Sequence, residues 1–228
     1  MKRPRIQEEG TTQAKVVKRR YTREAKIWSS LDHVNVLSFY GVVEISSVAY
    51  LVAPWVAHGD LSKFLTRRLE YLAGSSSNQG SFSDRKCSAF STFDEATVIH
   101  GIASGLAYLH TSGVIHGDIK AANVLLDDAL NPLLADFGLT KNEEFDATSP
   151  GLAGGGTARW KSPGLTEEQP RTTKTDIYAL GMTIVEILTG REPFPHLRSS
   201  FKVCRAITQG HRPPVEPLSR NGKDFRPL

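Results

Sequence analysis

Between Val114 and Thr140 the chain reads VIHGDIKAANVLLDDALNPLLADFGLT, in which a histidine, a lysine, an asparagine and several aspartates interrupt runs of apolar residues. Polar side chains set among buried neighbours must find partners or do chemistry, because burying them unpaired costs roughly 1 to 3 kcal/mol each. This stretch therefore constrains the fold most strongly. Whatever forms around it has to account for His116, Asp118, Lys120, Asn123 and Asp136. The runs VLL and PLLA, separated by DDALN, read as a small hairpin.

Elsewhere the pattern alternates between helix and strand. From Ala14 to Leu31, Val17, Tyr21 and Trp28 recur at helical spacing, and Glu24 falls on the same face, where a carboxylate needs a partner. NVLSFYGVV and VAYLVAPW read as two strands around a turn at Glu44 to Ser47, with Pro54 ending the second. HGDLSKFLTRRL predicts a short helix. The Ser-, Gly- and Asn-rich stretch over residues 73–92 lacks periodicity and reads as a mobile surface insertion. Thr92 and Glu95 have capping-box spacing ahead of a long helix striped by Val98, Ile102, Leu106 and Leu109, which stops near Gly113. A last helix, TDIYALGMTIVEILTG, would turn Ile177, Leu180, Ile184 and Ile187 inward and stop at Gly190. The order predicts an α+β chain of two lobes, strand-bearing then helical, joined near Pro54 to Gly59.

The chain has 228 residues, enough for one large domain or two small lobes, and its 39% hydrophobic and 23% charged residues suit a globular protein. The net charge of +4 arises from a basic excess between Met1 and Lys26. With no aromatic platforms interleaved, that excess reads as a solvated helix face rather than a nucleic-acid site. Cys87 and Cys204 lie far apart without CxxC spacing, as suits reduced thiols in a cytoplasmic or nuclear protein. No stretch approaches the ~18 apolar residues of a membrane span, and no apolar signal region follows the basic N-terminus, so no membrane partner is expected.

His116-x-Asp118-x-Lys120-x-x-Asn123 followed by Asp136-Phe137-Gly138 resembles the catalytic loop and metal-binding signature of eukaryotic protein kinases. GTARWKSPG, from Gly156 to Gly164, resembles the end of the activation segment in the tyrosine-kinase-like group, and Asp176 and Gly181 resemble that family's D-x-x-x-x-G helix, whose buried aspartate braces the catalytic loop. The resemblance implies a bilobal protein-kinase-like fold: a small, partial β-rich N-lobe with helix C over residues 1–53, a hinge over 54–60 and a mainly helical C-lobe over 61–228. It implies transfer of the γ-phosphoryl group of ATP, with Mg²⁺, to Ser/Thr hydroxyls of a protein substrate.

In that resemblance Asp118 takes the substrate proton, Lys120 neutralises charge on the transferred group, and Asn123 and Asp136 offer Mg²⁺ the oxygen ligands a hard cation prefers. Glu24 takes the place of the helix-C glutamate. Its lysine partner, which also touches the ATP phosphates, would be Lys2, since Lys15 and Lys18 sit too near on the same helix. Ala53 occupies the gatekeeper position and Pro54 to Val56 the hinge. Pro54 lacks an N–H but keeps the carbonyl that would face the adenine amino group, and Val56 keeps both groups. Leu125 would lie under the adenine, and His116 and Phe137 would stack in the core between the lobes. Thr157 is placed to bridge Asp118 and Lys120, and the D-x-K spacing resembles Ser/Thr rather than tyrosine kinases.

The chain also departs from the pattern. No G-x-G-x-x-G loop precedes Lys2 and the sequence ends soon after FKVCRAITQGHRPP, so it reads as incomplete at both ends, and the glycines at Gly154 to Gly156 belong to the activation segment. Gly117 replaces the arginine of H-R-D, so a phosphate on Thr140, Thr148 or Ser149 would lack that guanidinium partner. Gly164 replaces the glutamate of A-P-E. These departures keep open an alternative, a pseudokinase or kinase-like fragment acting as a protein-binding module.

Overall fold

The spacing of Tyr21, Glu24 and Trp28 puts all three on one face of helix α1 (residues 21–28), and that face is the inward one: Glu24 and Trp28 are buried and Tyr21 is half-buried. The Tyr21 hydroxyl accepts from the Leu51 N–H at 3.3 Å. The computed structural model describes residues 21–45, 48–73, 84–137, 141–142, 158–163 and 171–215, with side chains from residue 88 onward in the third of these segments and none at 141–142. Val17 of the expected stripe lies outside them.

Strands β1 (Gly41–Ile45) and β2 (Val48–Val52) pair antiparallel, with Val43 opposite Tyr50. The first starts later than its sequence suggests. Val36 and Leu37 are buried against the helical part instead, with Val36 bridging Leu134 and the Leu37 N–H donating to the Leu134 carbonyl at 2.9 Å. A short β3 (Gly59–Asp60) then leads into α2 (Leu61–Leu72), capped by Asp60, whose Oδ1 accepts from the Lys63 N–H at 2.9 Å.

Residues 84–92, expected within an irregular insertion, form helix α3 (Asp84–Thr92). Its signal is long-range: Phe90 is buried with its ring 5.2 Å from Phe64, and Arg68 of α2 donates from Nε to the Phe90 carbonyl at 3.2 Å. The same guanidinium lies over Phe93 and 3.0 Å from Glu95, so a nearly buried arginine ties α2 to the start of α4 (Glu95–Thr111). The cap of α4 is Asp94, which accepts from the Thr97 N–H at 2.9 Å, and not Thr92, whose hydroxyl is turned back onto α3 at Ser88. Val98, Ile102, Leu106 and Leu109 are buried as their spacing predicts.

After α4 come β4 (Val114–Ile115), the hairpin of β5 (Val124–Leu126) and β6 (Pro132–Leu134), and β7 (Lys141–Asn142). Strand β5 pairs on its other side with β3, and β4 pairs with β7. Helices α5 (Thr173–Thr189) and α6 (Ser200–Thr208) complete the described chain, and Gly190 closes α5 in a left-handed conformation (φ 66°). The buried face of α5 is turned from the expected one. Asp176, Ala179, Met182, Thr183, Glu186 and Ile187 point inward, Leu180 and Ile184 are half-buried, and Ile177 is exposed. Two carboxylates drawn in by backbone donors set that rotation. None of the helices in the described residues is long and apolar enough to cross a membrane.

The two parts meet at a notch in α4. A Cβ on Gly105 would lie 2.7 Å from the Asn35 carbonyl oxygen, and one on Gly101 would meet Pro132 and the Asn35 amide. Without those carbons the 33–37 loop lies directly on the helix, with Asn35 donating to the Pro132 carbonyl at 3.0 Å and His33 stacked on Tyr108. In Gly105→Ala the clash falls on backbone, so overpacking of about 1 to 3 kcal/mol outweighs a helix-propensity gain of up to about 1. Urea unfolding should show a loss of about 1 to 2 kcal/mol.

Candidate active site

Helix α4 is capped at Ser112, and Gly113 (φ 68°) turns the chain into β4 and so into His116. What fixes the next residues is Asp176 of α5, only 1% exposed. Its Oδ2 accepts from the His116 N–H at 2.9 Å and its Oδ1 from the Gly117 N–H at 2.8 Å, while His110 of α4 lies 3.0 Å from Oδ2. The expected brace is thus present. Gly181 has open space where a Cβ would sit, so Asp176 alone carries that motif. The imidazole of His116 accepts at Nδ1 from the Asp118 N–H and therefore donates from Nε2 to the Ala135 carbonyl at 3.1 Å, which assigns the neutral Nε2–H tautomer.

Asp118, Lys120 and Asn123 converge. The Asp118 carboxylate is buried, and its Oδ2 accepts from Lys120 Nζ at 2.7 Å and from Asn123 Nδ2 at 2.8 Å. Asn123 Nδ2 also donates to the Asp118 carbonyl at 2.8 Å, which leaves the amide oxygen outside this pair of bonds. Oδ1 of Asp118 is buried and has no hydrogen-bond partner among the described residues. The β5–β6 register sets Val124 opposite Leu134, and the Ala135 N–H donates to the Asn123 carbonyl at 2.9 Å, so Asp136 follows directly on the residue beside Asn123. Asp136 is exposed and takes a positive φ of 65°, while Phe137 is buried.

Phe137 belongs to a column of rings: Phe39 lies 5.0 Å from Trp28, Trp28 lies 5.7 Å from Phe137, and Phe137 lies 5.5 Å from His116. The column joins α1 to the catalytic stretch, as the resemblance implies for His116 and Phe137.

The remaining candidates flank this centre. Glu24 is buried on α1. Ala53 and Pro54 are half-buried and Val56 is buried in the segment after β2, which runs beside β5 through the His58 N–H to the Leu126 carbonyl and the pairing of Asp60 with Leu125. Lys2, Lys15, Lys18, Thr140, Thr148, Ser149, Gly154 to Gly156, Thr157 and Gly164 lie outside the described residues.

The sequence reading missed Glu186. This carboxylate is buried on the inward face of α5, where its Oε2 accepts from the Ala121 N–H and from Trp160 Nε1, both at 3.1 Å. No local signal marked it: Glu186 falls off the stripe of Ile177, Leu180, Ile184 and Ile187 that periodicity turns inward. It borders a cleft of about 420 Å³ lined by Ser62, Leu65, Trp160 and Glu192, which includes none of Asp118, Asn123 and Asp136. Burial pushes the Glu186 carboxyl up to about 7 from its usual 4.5, against the opposing bonds from Ala121, Trp160 and Ser62. Between those values the folded state holds a proton that the unfolded chain has lost, so the penalty is absent below pH 4.5 and complete above 7. Glu186→Gln removes it. Denaturant unfolding should show the variant gaining about 3 kcal/mol on wild type between pH 4 and pH 8.

Comparison with known proteins agrees with this geometry. The family model described as protein tyrosine and serine/threonine kinase matches residues 5–221. Mitogen-activated protein kinase kinase kinase 3 of Arabidopsis thaliana is 29% identical over 91% of this chain and 29% of its own length. The serine/threonine/tyrosine-protein kinase HT1 of the same plant is 27% identical over 90% of this chain and 47% of its length, and the mitogen-activated protein kinase kinase kinase zak-1 of Caenorhabditis elegans is 32% identical over 82% and 24%. The chain thus spans less than half the length of these relatives. With the catalytic signature assembled in space and the family model matching nearly end to end, the chain belongs to the protein tyrosine and serine/threonine kinase family.

Proposed function

We propose that this chain is the catalytic domain of an ATP- and Mg²⁺-dependent kinase that phosphorylates Ser or Thr in protein substrates. The observation that carries the reading is the Asp118 carboxylate: one oxygen is fixed by Lys120 and Asn123, and the other is buried with no partner among the described residues. An acceptor held in place and left unfilled suits a substrate hydroxyl, whose proton passes to Oδ1 as its oxygen takes the γ-phosphoryl group and ADP leaves. Lys120, 2.7 Å from the same carboxylate, keeps a positive charge beside the developing negative one.

The donor set fits a magnesium ion shared with phosphates rather than a protein cage. No group of three or more His, Cys, Asp or Glu side chains capable of holding a metal occurs among the described residues, whereas Asn123 offers an amide oxygen and Asp136 a carboxylate beside it in the chain register. When bound, the ion would supply charge neutralisation at the phosphates. In the same reading Lys2 and Glu24 position the α- and β-phosphates, and Ala53, Pro54, Val56 and Leu125 receive the adenine. The HT1 relative is named a serine/threonine/tyrosine kinase, and the D-x-K spacing of Asp118 and Lys120 favours Ser/Thr here.

Asp118→Asn is nearly isosteric but cannot take the proton, so radiolabel transfer from ATP to dephosphorylated casein should fall by about 10²- to 10⁴-fold. Phosphoamino-acid analysis should recover phosphoserine or phosphothreonine. Equal incorporation by variant and wild type would defeat the assignment.

A further inference from the structure

Asp176 and Glu186 stand ten residues apart on α5, about 15 Å along its axis at 1.5 Å per residue. Asp176 accepts from the backbone N–H groups of His116 and Gly117, and Glu186 from that of Ala121. Asp118 and Lys120 therefore hang between two carboxylates of a single helix. Four residues of chain run from the pin at Gly117 to the pin at Ala121. Lys120, just before the second pin, is extended (φ −168°, ψ 160°).

We propose that Glu186 is a positioning residue that holds the downstream end of the catalytic segment and ties it to the turn of residues 158–160. Its Oε2 joins the Ala121 N–H, at the head of the turn that presents Asn123, to the indole N–H of Trp160, and a hydrogen bond with the Ser62 side chain brings in α2. Held in this way, Glu186 acts through the backbone it grips rather than on the substrate. Its effect on phosphate transfer runs through Asp118 and Asn123, and that kinetic half rests on the kinase reading. The bridge itself rests on distances alone. An amide would make the same contacts, accepting from both N–H groups and donating to Ser62, whereas an apolar side chain of similar volume fills the space and leaves the Ala121 N–H unpaired.

The test compares Glu186→Gln and Glu186→Met with wild type, by hydrogen exchange of the whole chain and by steady-state transfer from Mg-ATP to dephosphorylated casein. In Glu186→Met, amide exchange over residues 116–123 should accelerate at least tenfold. Its kcat should fall by about 10- to 100-fold, the scale of a misplaced catalytic group, while KM for ATP changes less than about twofold. Glu186→Gln should return exchange and kcat to within about threefold of wild type. A Glu186→Met chain with wild-type exchange and kcat overturns the proposal, and so does a Glu186→Gln chain as impaired as Glu186→Met. Should Glu186→Met fail to fold, a Glu186→Gln chain whose kcat or exchange over residues 116–123 departs from wild type by more than about threefold overturns the proposal. A wild-type chain that transfers nothing strikes the kinase reading instead, and the exchange comparison still decides the bridge.

Discussion

The catalytic stretch depends on Asp176. A carboxylate that is 1% exposed is tolerated only where its lone pairs are filled, and here the donors are two consecutive backbone amides and an imidazole. The same bonds that make the burial affordable give His116 and Gly117 a fixed position relative to α5. From there the order propagates by short links. His116 holds the Asp118 N–H and the Ala135 carbonyl, and Asn123 holds Asp118 from the other side. Each link is a hydrogen bond between groups that would otherwise be buried and unsatisfied, so the loop's shape is over-determined rather than merely favoured.

A second constraint runs across the molecule. Phe39, Trp28, Phe137 and His116 stack at centroid distances of 5.0 to 5.7 Å, and tilted ring pairs at such separations add attraction beyond area burial. Trp28 is pinned further by its indole N–H to the Leu37 carbonyl. Movement of α1 would therefore pull on Phe137 and, through it, on Asp136 next door. The glycine notch in α4 limits such movement, because the Asn35 backbone of the loop after α1 packs at Gly105 and the Asn35 amide at Gly101.

How much of this was legible depends on the range of the interaction. His116, Asp118, Lys120, Asn123 and Asp136 are close in sequence, so their spacing alone marked them, and the hairpin that aligns Asn123 with Ala135 is equally local. Helix α3 was not legible because what holds it is Arg68, which reaches the Phe90 carbonyl from another helix. The rotation of α5 escaped for the same reason: hydrophobic periodicity points Ile177 inward, but the donors waiting for Asp176 and Glu186 belong to segments 26 or more positions away, and they override it. Cap chemistry was ambiguous at Thr92 and Asp94, two good caps within three residues, and only the packing of Thr92 onto α3 decides between them.

Two backbone positions show where the site keeps its strain. Gly117 has φ 76°, a left-handed value that costs glycine nothing and would cost a residue with a side chain about 1 kcal/mol or more. The substitution of arginine by glycine in the H-x-D motif thus removes strain at the point where Asp176 grips the backbone. Asp136 has φ 65° without that relief. An aspartate tolerates the left-handed region better than most residues, yet it persists there only because the surroundings enforce it. The enforcing contacts are visible on both sides, the Ala135 N–H on the Asn123 carbonyl before it and the buried Phe137 ring in the column after it. Strain is therefore absent at Gly117, where Asp176 grips the backbone, and retained at Asp136, held between Ala135 and Phe137.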